Sequence, residues 1–213
     1  MSTRKTSPID PARVELVTGA GDDGSIRRGA RGDSRVSWGV HEGPFGRFLL
    51  AATDQGVCAL RFLRAGAASE EAEVESLRRE WPRATVLRDQ ERTARHARRV
   101  FAPRGGESLP LHLRGTRFQI RVWRELLKVA AGEVTSYAAL AGSIGAPRSV
   151  RAVGGAVARN PILYLVPCHR VIRSDGDLGG YRAGPKLKAD LLRREAHPEA
   201  RRGSGRRRRA SLG

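Results

Sequence analysis

Arg148-Ser149-Val150-Arg151-Ala152-Val153-Gly154-Gly155-Ala156-Val157-Ala158-Arg159 reads as a helix with two consecutive glycines inside it. Each glycine costs a helix interior roughly 1 kcal/mol relative to alanine. Small residues kept at that cost mean that something approaches the helix backbone closely. A packing partner is one reading and a nucleic-acid groove the other. Arg151, set beside the small residues, favours the groove because its side chain can project into a duplex. Before this helix, residues 136–144 form a second short helix capped by Ser136, and the link Gly145-Ala146 is tight. Two short helices joined this way resemble a helix-turn-helix. Further upstream, Phe118, Val122, Trp123, Leu126 and Leu127 keep helical spacing, with Thr116 as N-cap and Gly132 as the expected end.

After the glycine-bearing helix, Asn160-Pro161 forces a break, since a proline disfavours helical geometry at the residue before it. The apolar run 162–166 then leads into Pro167-Cys168-His169-Arg170-Val171. A deprotonated cysteine is the most nucleophilic ordinary side chain, and imidazole is suited to take its proton near neutral pH. A buried structural cysteine beside an unrelated histidine is the plainer reading. If the run is extended, side chains alternate faces, so His169 cannot lie against Cys168 and the two must turn sharply or communicate through a water. A third group is needed to orient His169, and Asp175, Asp177, Asp190 and Glu195 are the acidic candidates downstream. Between them lies Gly179-Gly180-Tyr181-Arg182-Ala183-Gly184. This loop suits either a phosphate cradle or a lid over a flat ligand, and with no Gly-Lys-Ser/Thr following it is not a P-loop.

Net charge is +18, and the basic residues are nearly all arginine: Lys5, Lys128, Lys186 and Lys188 are the four lysines. Such a balance favours polyanionic partners, and the planar guanidinium fork suits phosphate oxygens. Cys58 and Cys168 stand 110 positions apart with no CxxC pair, so neither a structural zinc site nor a disulfide framework is expected. No apolar run of signal-peptide or membrane-span character is present, and an intracellular, cytoplasmic protein in a reducing compartment is expected.

Residues 1–35 read as a disordered leader, and residues 198–213, with six arginines from Arg201 on, as a disordered basic tail. Residues 36–113 form a small α/β unit. Residues 46–52 and 57–62 read as strands flanking the turn 53–56, and residues 70–81 and 90–101 read as helices. Cys58, in an apolar strand, is read as core. Residues 115–197 form a mainly helical second unit.

The residues from about Gly115 to Ala196 resemble the O6-alkylguanine-DNA alkyltransferase family, also called methylated-DNA–protein-cysteine methyltransferases. The resemblance is carried by Pro167-Cys168-His169-Arg170-Val171, Asn160, Arg151-Ala152-Val153-Gly154-Gly155, Thr116-Arg117-Phe118-Gln119, Gly132-Glu133-Val134-Thr135-Ser136-Tyr137 and Leu191-Leu192-Arg193-Arg194-Glu195, in that family's order and spacing. It implies a ribonuclease-H-like α/β domain followed by a winged helix-turn-helix-like alkyltransferase domain. It further implies direct transfer of an alkyl group from O6-alkylguanine, and from O4-methylthymine, in double-stranded DNA to Cys168, once per molecule. No cofactor or metal is implied, and a monomer is expected.

By the same resemblance, His169 deprotonates Cys168 through a bridging water, and Glu195 orients His169. Asn160 holds the turn that joins the recognition helix to the active-site strand. Tyr137 assists rotation of the nucleotide and donates a proton toward the departing guanine. Arg151 fills the space left by the flipped base, and Ser149, Ala152, Gly154 and Gly155 let the helix enter the minor groove. Tyr181 and the backbones of Cys168, Val171 and Arg182 line the base pocket. Some members add a zinc-cysteine module or a transcription-activating module, and neither is expected here. A Cys-His hydrolase and a helix-turn-helix regulator are the competing classes. The first requires an oxyanion site, the second base-edge readout by Arg148, Ser149 and Arg151.

Overall fold

The computed structural model describes residues 16–18, 35–64, 67–101 and 109–196. Its largest element is a mixed sheet with strand order β1-β6-β4-β3-β2-β5, built from β1 (Leu16–Thr18), β2 (Arg35–Gly43), β3 (Gly46–Thr53), β4 (Gly56–Phe62), β5 (Thr85–Arg88) and β6 (Leu111–Leu113). β2, β3 and β4 form an antiparallel meander, β5 lies parallel to β2, and β6 lies parallel to β4 and β1. The expected 53–56 turn is present, and Gly56 there has φ +140°. A Cβ on Gly56 would meet the Pro110 carbonyl oxygen at 2.3 Å, so only glycine fits. Strand β1 corrects the reading of residues 1–35 as wholly disordered, because Leu16–Thr18 pair in register with Leu111–Leu113. The rest of that leader, apart from Arg35 in β2, lies outside the described residues, as does the tail from 197 on.

Period-two alternation sends the sheet's side chains to two covered faces. Leu49, Ala51, Cys58 and Ala59 meet Val74, Leu77 and Trp81 of and after α1 (Ala67–Glu80). Phe48, Leu50, Leu60 and Phe62 face the other way, toward α2 (Gln90–Phe101) and the C-terminal helices. Cys58 is therefore core, as expected, and burial pushes its thiol up to about 12. Arg61, 1% exposed, anchors α1 by donating to Glu73 Oε2 at 3.0 Å and Glu80 Oε2 at 2.6 Å.

The C-terminal part consists of α3 (Arg117–Leu126), β7 (Thr135–Ser136), α4 (Tyr137–Ser143), α5 (Val150–Ala158), β8 (Val171–Ile172) and α6 (Pro185–Ala196). Thr116 and Gln119 cap α3 reciprocally. That helix stops at Leu126 rather than running to Gly132, which instead sits in a following turn with φ +83°. Ser136 caps α4 as expected, its hydroxyl accepting from Ala139 N. Helix α5 starts at Val150 rather than at Arg148, with Ser149 as N-cap. The Trp123 indole N–H donates to Ala156 O at 2.9 Å and fixes α5 across α3.

The two units do not have separate cores. One cluster of buried side chains runs from Phe48 and Leu60 through Trp123 and Val153 to Cys168 and Leu191. Backbone bonds reinforce it: Leu60 N donates to Pro161 O at 3.1 Å, and Leu163 N donates to Leu60 O at 3.0 Å. Replacing Trp123 with Phe removes the bond to Ala156 and leaves a cavity where the second ring of the indole packed. The expected loss is about 2–4 kcal/mol in chemical denaturation, with the slope of the transition unchanged.

Candidate active site

The segment from Asn160 to Arg170 is buried throughout, and its shape follows from one side chain. Asn160 Oδ1 accepts from Ile162 N at 3.0 Å, while Nδ2 donates to Val166 O at 2.8 Å and lies 3.0 Å from Cys168 Sγ. The run 162–166 is therefore not extended. It closes on itself with Val166 N donating to Ile162 O at 3.0 Å, and Tyr164 adopts φ +69°, a left-handed backbone that an L-residue holds only under constraint. Cys168–Arg170 then form one 3₁₀ turn. The alternation argument from an extended strand thus fails here. No hydrogen bond joins Cys168 to the His169 ring, but the cause is the 3₁₀ turn.

His169, fully buried, places Nε2 3.0 Å from Glu195 Oε1 on α6. Of the acidic candidates downstream, Glu195 is the one that meets it. Arg170 approaches the same carboxylate in a fork, Nε to Oε2 at 2.9 Å and NH2 to Oε1 at 2.7 Å, and also donates to Val129 O. Burial alone raises a carboxylate's pKa. At Glu195 the bonds from His169 and Arg170 outweigh it and bring the group down to about 2. An ionised carboxylate only accepts, so Nε2 carries the ring proton and Nδ1 holds the lone pair. Nδ1 is buried with no partner among the described residues. Burial foremost, with help from the Arg170 and Lys188 charges, holds His169 below its ordinary value despite Glu195, so the ring is neutral.

Cys168 is 4% exposed, and burial raises its thiol to about 11, the Asn160 bond and the Lys188 charge partly opposing. Lys188 is itself buried, its ammonium donating to Val171 O at 2.6 Å and to Leu178 O. Neither Arg170 nor Lys188 was among the site residues expected from sequence. One signal was available for Lys188, which is among four lysines in a chain that otherwise uses arginine. Val171 also donates its N–H to Cys168 O, so both of its backbone groups brace the site.

Two phenols flank the thiol. Parallel pairing of Thr135 with Val171 and of Ser136 with Ile172 delivers Tyr137, the first residue of α4, to the edge of the site. Gly179 has φ +64°, and a Cβ on it would stand 3.5 Å from the Tyr137 hydroxyl. Burial, then the nearby thiol, raises the pKa of Tyr137. The same two causes, in the same order, raise Tyr181 well above the ordinary value, and its buried hydroxyl has no partner among the described residues. Both phenols therefore stay protonated and can donate. Tyr164 stacks on His169 with ring centroids 6.2 Å apart and planes at 12°. Arg182 turns its side chain away to Glu73 of α1 at 3.0 Å, leaving its backbone on the loop beside Tyr181.

Helix α5 presents Arg151, Ala152, Ala158 and Arg159 outward, with Gly154 and Gly155 half-exposed. A Cβ on Gly154 would meet Tyr137 at an ordinary 3.8 Å, and one on Gly155 would meet only the Arg159 guanidinium, at 3.2 Å. The protein's own packing does not require either glycine, which removes the packing-partner reading of the sequence. Ser149 makes no capping bond through its hydroxyl, and Arg151 is exposed with no ion pair among the described residues. No group of three His, Cys, Asp or Glu is arranged to hold a metal among the described residues, and no helix among them is long and apolar enough to cross a membrane.

Residues 117–197 match the family described as 6-O-methylguanine DNA methyltransferase, DNA binding domain. The chain is 39% identical over 160 residues to the methylated-DNA–protein-cysteine methyltransferase of Methanosarcina barkeri, covering 73% of this chain and 94% of that protein. It is 38% identical over 170 residues to the bifunctional transcriptional activator/DNA repair enzyme Ada of Escherichia coli, covering 78% of this chain and 47% of that protein. The chain thus spans about half the length of the Ada relatives it matches. The crystal structure of Mycobacterium tuberculosis OGT in complex with DNA superposes with a TM-score of 0.60 at 34% identity, covering 75% of this chain and 92% of that one.

Two outcomes follow from the protonation states. Iodoacetamide modification of Cys168 should accelerate about tenfold per pH unit from pH 7 to 9.5 without levelling, because the thiol ionises near 11. A plateau by pH 9 refutes that protonation state. In acid, the ionised Glu195 contributes stability that is complete above its unfolded value near ~4.3 and lost as pH falls toward 2. Neutral His169 acts in the same direction below its ordinary value, since only the unfolded chain takes up that proton. Glu195→Gln should therefore be less stable at pH 7 and should lose less stability than the parent between pH 4.5 and 2, measured by urea midpoints.

Proposed function

The chain belongs to the methylated-DNA–protein-cysteine methyltransferase family, and on that premise we propose that it repairs O6-alkylguanine in double-stranded DNA by moving the alkyl group to Cys168. The observation that carries this reading is a buried thiol surrounded by unspent polar groups. Asn160 holds Sγ, while the His169 Nδ1 lone pair and the Tyr181 hydroxyl stand buried without partners among the described residues. Unsatisfied groups of this kind gather where a ligand completes them. A flat base entering beside Tyr181 satisfies that hydroxyl and brings its O6-alkyl carbon to the sulfur.

In the proposed reaction His169 Nδ1 takes the thiol proton through one water, stabilised by Glu195 on the opposite nitrogen. Sulfur then attacks the alkyl carbon, forming the S–C bond as the C–O6 bond breaks. The guanine leaves with a proton from the Tyr137 phenol, and the proton gained by His169 balances the one that Tyr137 gives up. The thioether is stable, and the reading includes no second nucleophile to remove the alkyl group, so each molecule acts once. A thiol near 11 is ionised to only ~10⁻⁴ at pH 7, which keeps a single-use nucleophile unreactive until the base and relay are assembled.

Arg151 takes the place of the flipped nucleotide in the stack, and Ser149, Ala152, Gly154 and Gly155 admit the backbone of α5 to the minor groove. Val171 and Arg182 contribute backbone groups to the base pocket. O4-methylthymine is a second substrate of the same pocket. The finer fold reading is a ribonuclease-H-like unit over residues 36–113 and a winged helix-turn-helix-like unit over 115–197. A monomer acting in the cytoplasm, without metal or cofactor, completes the proposal.

Incubation with a duplex carrying O6-methylguanine should place one methyl group on Cys168, read by peptide mass spectrometry, and Cys168→Ser should leave the lesion intact. An unmodified Cys168 in the parent protein sinks the reading. Arg151→Ala should slow transfer from the duplex at least tenfold more than transfer from free O6-benzylguanine, measured in single-turnover assays. Equal losses on both substrates remove Arg151 from base flipping.

A further inference from the structure

A cavity of about 630 Å³ opens where α1, α3 and α5 meet, on the far end of α5 from Arg151. Arg79, Arg114, Arg159 and Arg182 line it, with Trp81 and the acidic Glu80. The charges do not cancel. Glu80 is taken by the buried Arg61 at 2.6 Å, and Arg182 by Glu73 at 3.0 Å. Of the remaining three guanidinia, Arg114 and Arg159 have no carboxylate partner among the described residues, and Arg79 has only a long, exposed ion pair with Glu75. Arg79 comes no nearer than 3.9 Å to Glu75, Arg114 donates to the Glu80 backbone oxygen and lies over the Trp81 ring, and Arg159 reaches only Gly155 O of its own helix at 3.4 Å. Three cations converging on one concavity create a potential that an anion relieves.

The position of the cavity identifies the anion. The outward stripe of α5 runs Arg151, Ala152, Gly155, Ala158, Arg159, residues that fall on one helical face. Its last two members are among the residues that line the cavity. From Arg151 to Arg159 the stripe is about 12 Å long, against a minor groove about 6 Å wide. If α5 lies across the groove with its Arg151 end inside, the duplex carries a sugar-phosphate strand over the Arg159 end.

We propose that this cavity is a phosphodiester-binding site that grips the DNA backbone beyond the groove occupied by α5. Arg159, Arg79 and Arg114 supply the cationic wall, and the site reads charge without reading sequence. The inference rests on the duplex-binding reading above and adds to it an anchor point remote from Cys168. It accounts for why arginines from the N-terminal helix α1 and from the loop before α3 face the same side as the groove-facing helix.

The test is duplex affinity as a function of salt for Arg159→Gln and for Arg79→Gln/Arg114→Gln, with Arg159→Lys as the charge-preserving control. Removing one cation from a phosphate lowers the slope of log affinity against log salt by about one. Arg159→Gln is expected to weaken binding several-fold at low salt, equally for damaged and undamaged duplexes, with the slope reduced by about one. Arg159→Lys should keep the parental slope. Transfer from free O6-benzylguanine and the melting temperature should stay unchanged. A scan of neutral methylphosphonates along one strand should find a position at which the parent loses affinity and Arg159→Gln does not.

Parental affinity and slope in both glutamine variants overturn the proposal. So does a loss confined to the lesion-bearing duplex, which belongs to base flipping, or a parallel loss of free-base transfer, which belongs to folding. If the parent binds duplex with this charge dependence but never alkylates Cys168, the repair reading fails and the phosphodiester site stands. If it alkylates Cys168 and the variants bind like the parent, the site alone fails.

Discussion

The carboxamide of Asn160 has two N–H donors and one acceptor oxygen, and the protein uses all three within eight residues of chain. Both donors are spent, on Val166 O and on Cys168 Sγ, and the oxygen takes Ile162 N–H. Flipping the amide would set oxygen against a carbonyl and a sulfur, and nitrogen against an N–H, so its orientation is determined. This one group folds an apolar pentapeptide into a turn and forces Tyr164 into a left-handed backbone. It also decides where the 3₁₀ turn begins. Because Cys168, His169 and Arg170 lie on that turn, the direction of each depends on the same amide.

The charges around the turn are arranged to keep the thiol protonated at rest without making it inert. Glu195 serves two partners at once. Arg170 keeps it ionised, and the His169 ring is held in the tautomer that turns a lone pair toward the interior. Lys188 brings a buried positive charge close enough to lower the thiol's pKa, its ammonium satisfied by two carbonyls instead of a carboxylate. A carboxylate partner would have cancelled that field. Burial still dominates, so the thiol rests protonated at neutral pH.

Much of this was legible in the residues. The β3–β4 hairpin, α1, α2 and the Thr116 and Ser136 caps follow from alternation, helical spacing and capping chemistry, which are local. Cys168, His169, Asn160 and Glu195 were identified because their motif spacing is distinctive, and the structure brings them together. The conformation of residues 162–166 was not legible. Its apolar, β-branched character favours a strand, and a side-chain staple from Asn160 overrides that preference. Strand β1 was hidden for a related reason, since three residues pairing with a distant strand leave no period to detect. Arg170 and Lys188 were missed because charged residues are ordinarily solvated, and only tertiary packing shows which ones are enclosed.

The bonds between Leu60 and the segment 161–163 have a consequence for how the molecule can be divided. The family model for the DNA-binding domain covers residues 117–197, which include every side chain of the candidate site. Yet the turn that bears Cys168 is propped from behind by a strand that ends 55 positions before that region starts, and its apolar backing comes from the same sheet. The span of that one family model is therefore smaller than the unit of cooperativity, in keeping with relatives that match over 160 and 170 residues. A fragment cut at residue 117 would retain the candidate site's side chains and lose the sheet that holds them, so insertions, fusions and truncations have to respect that sheet.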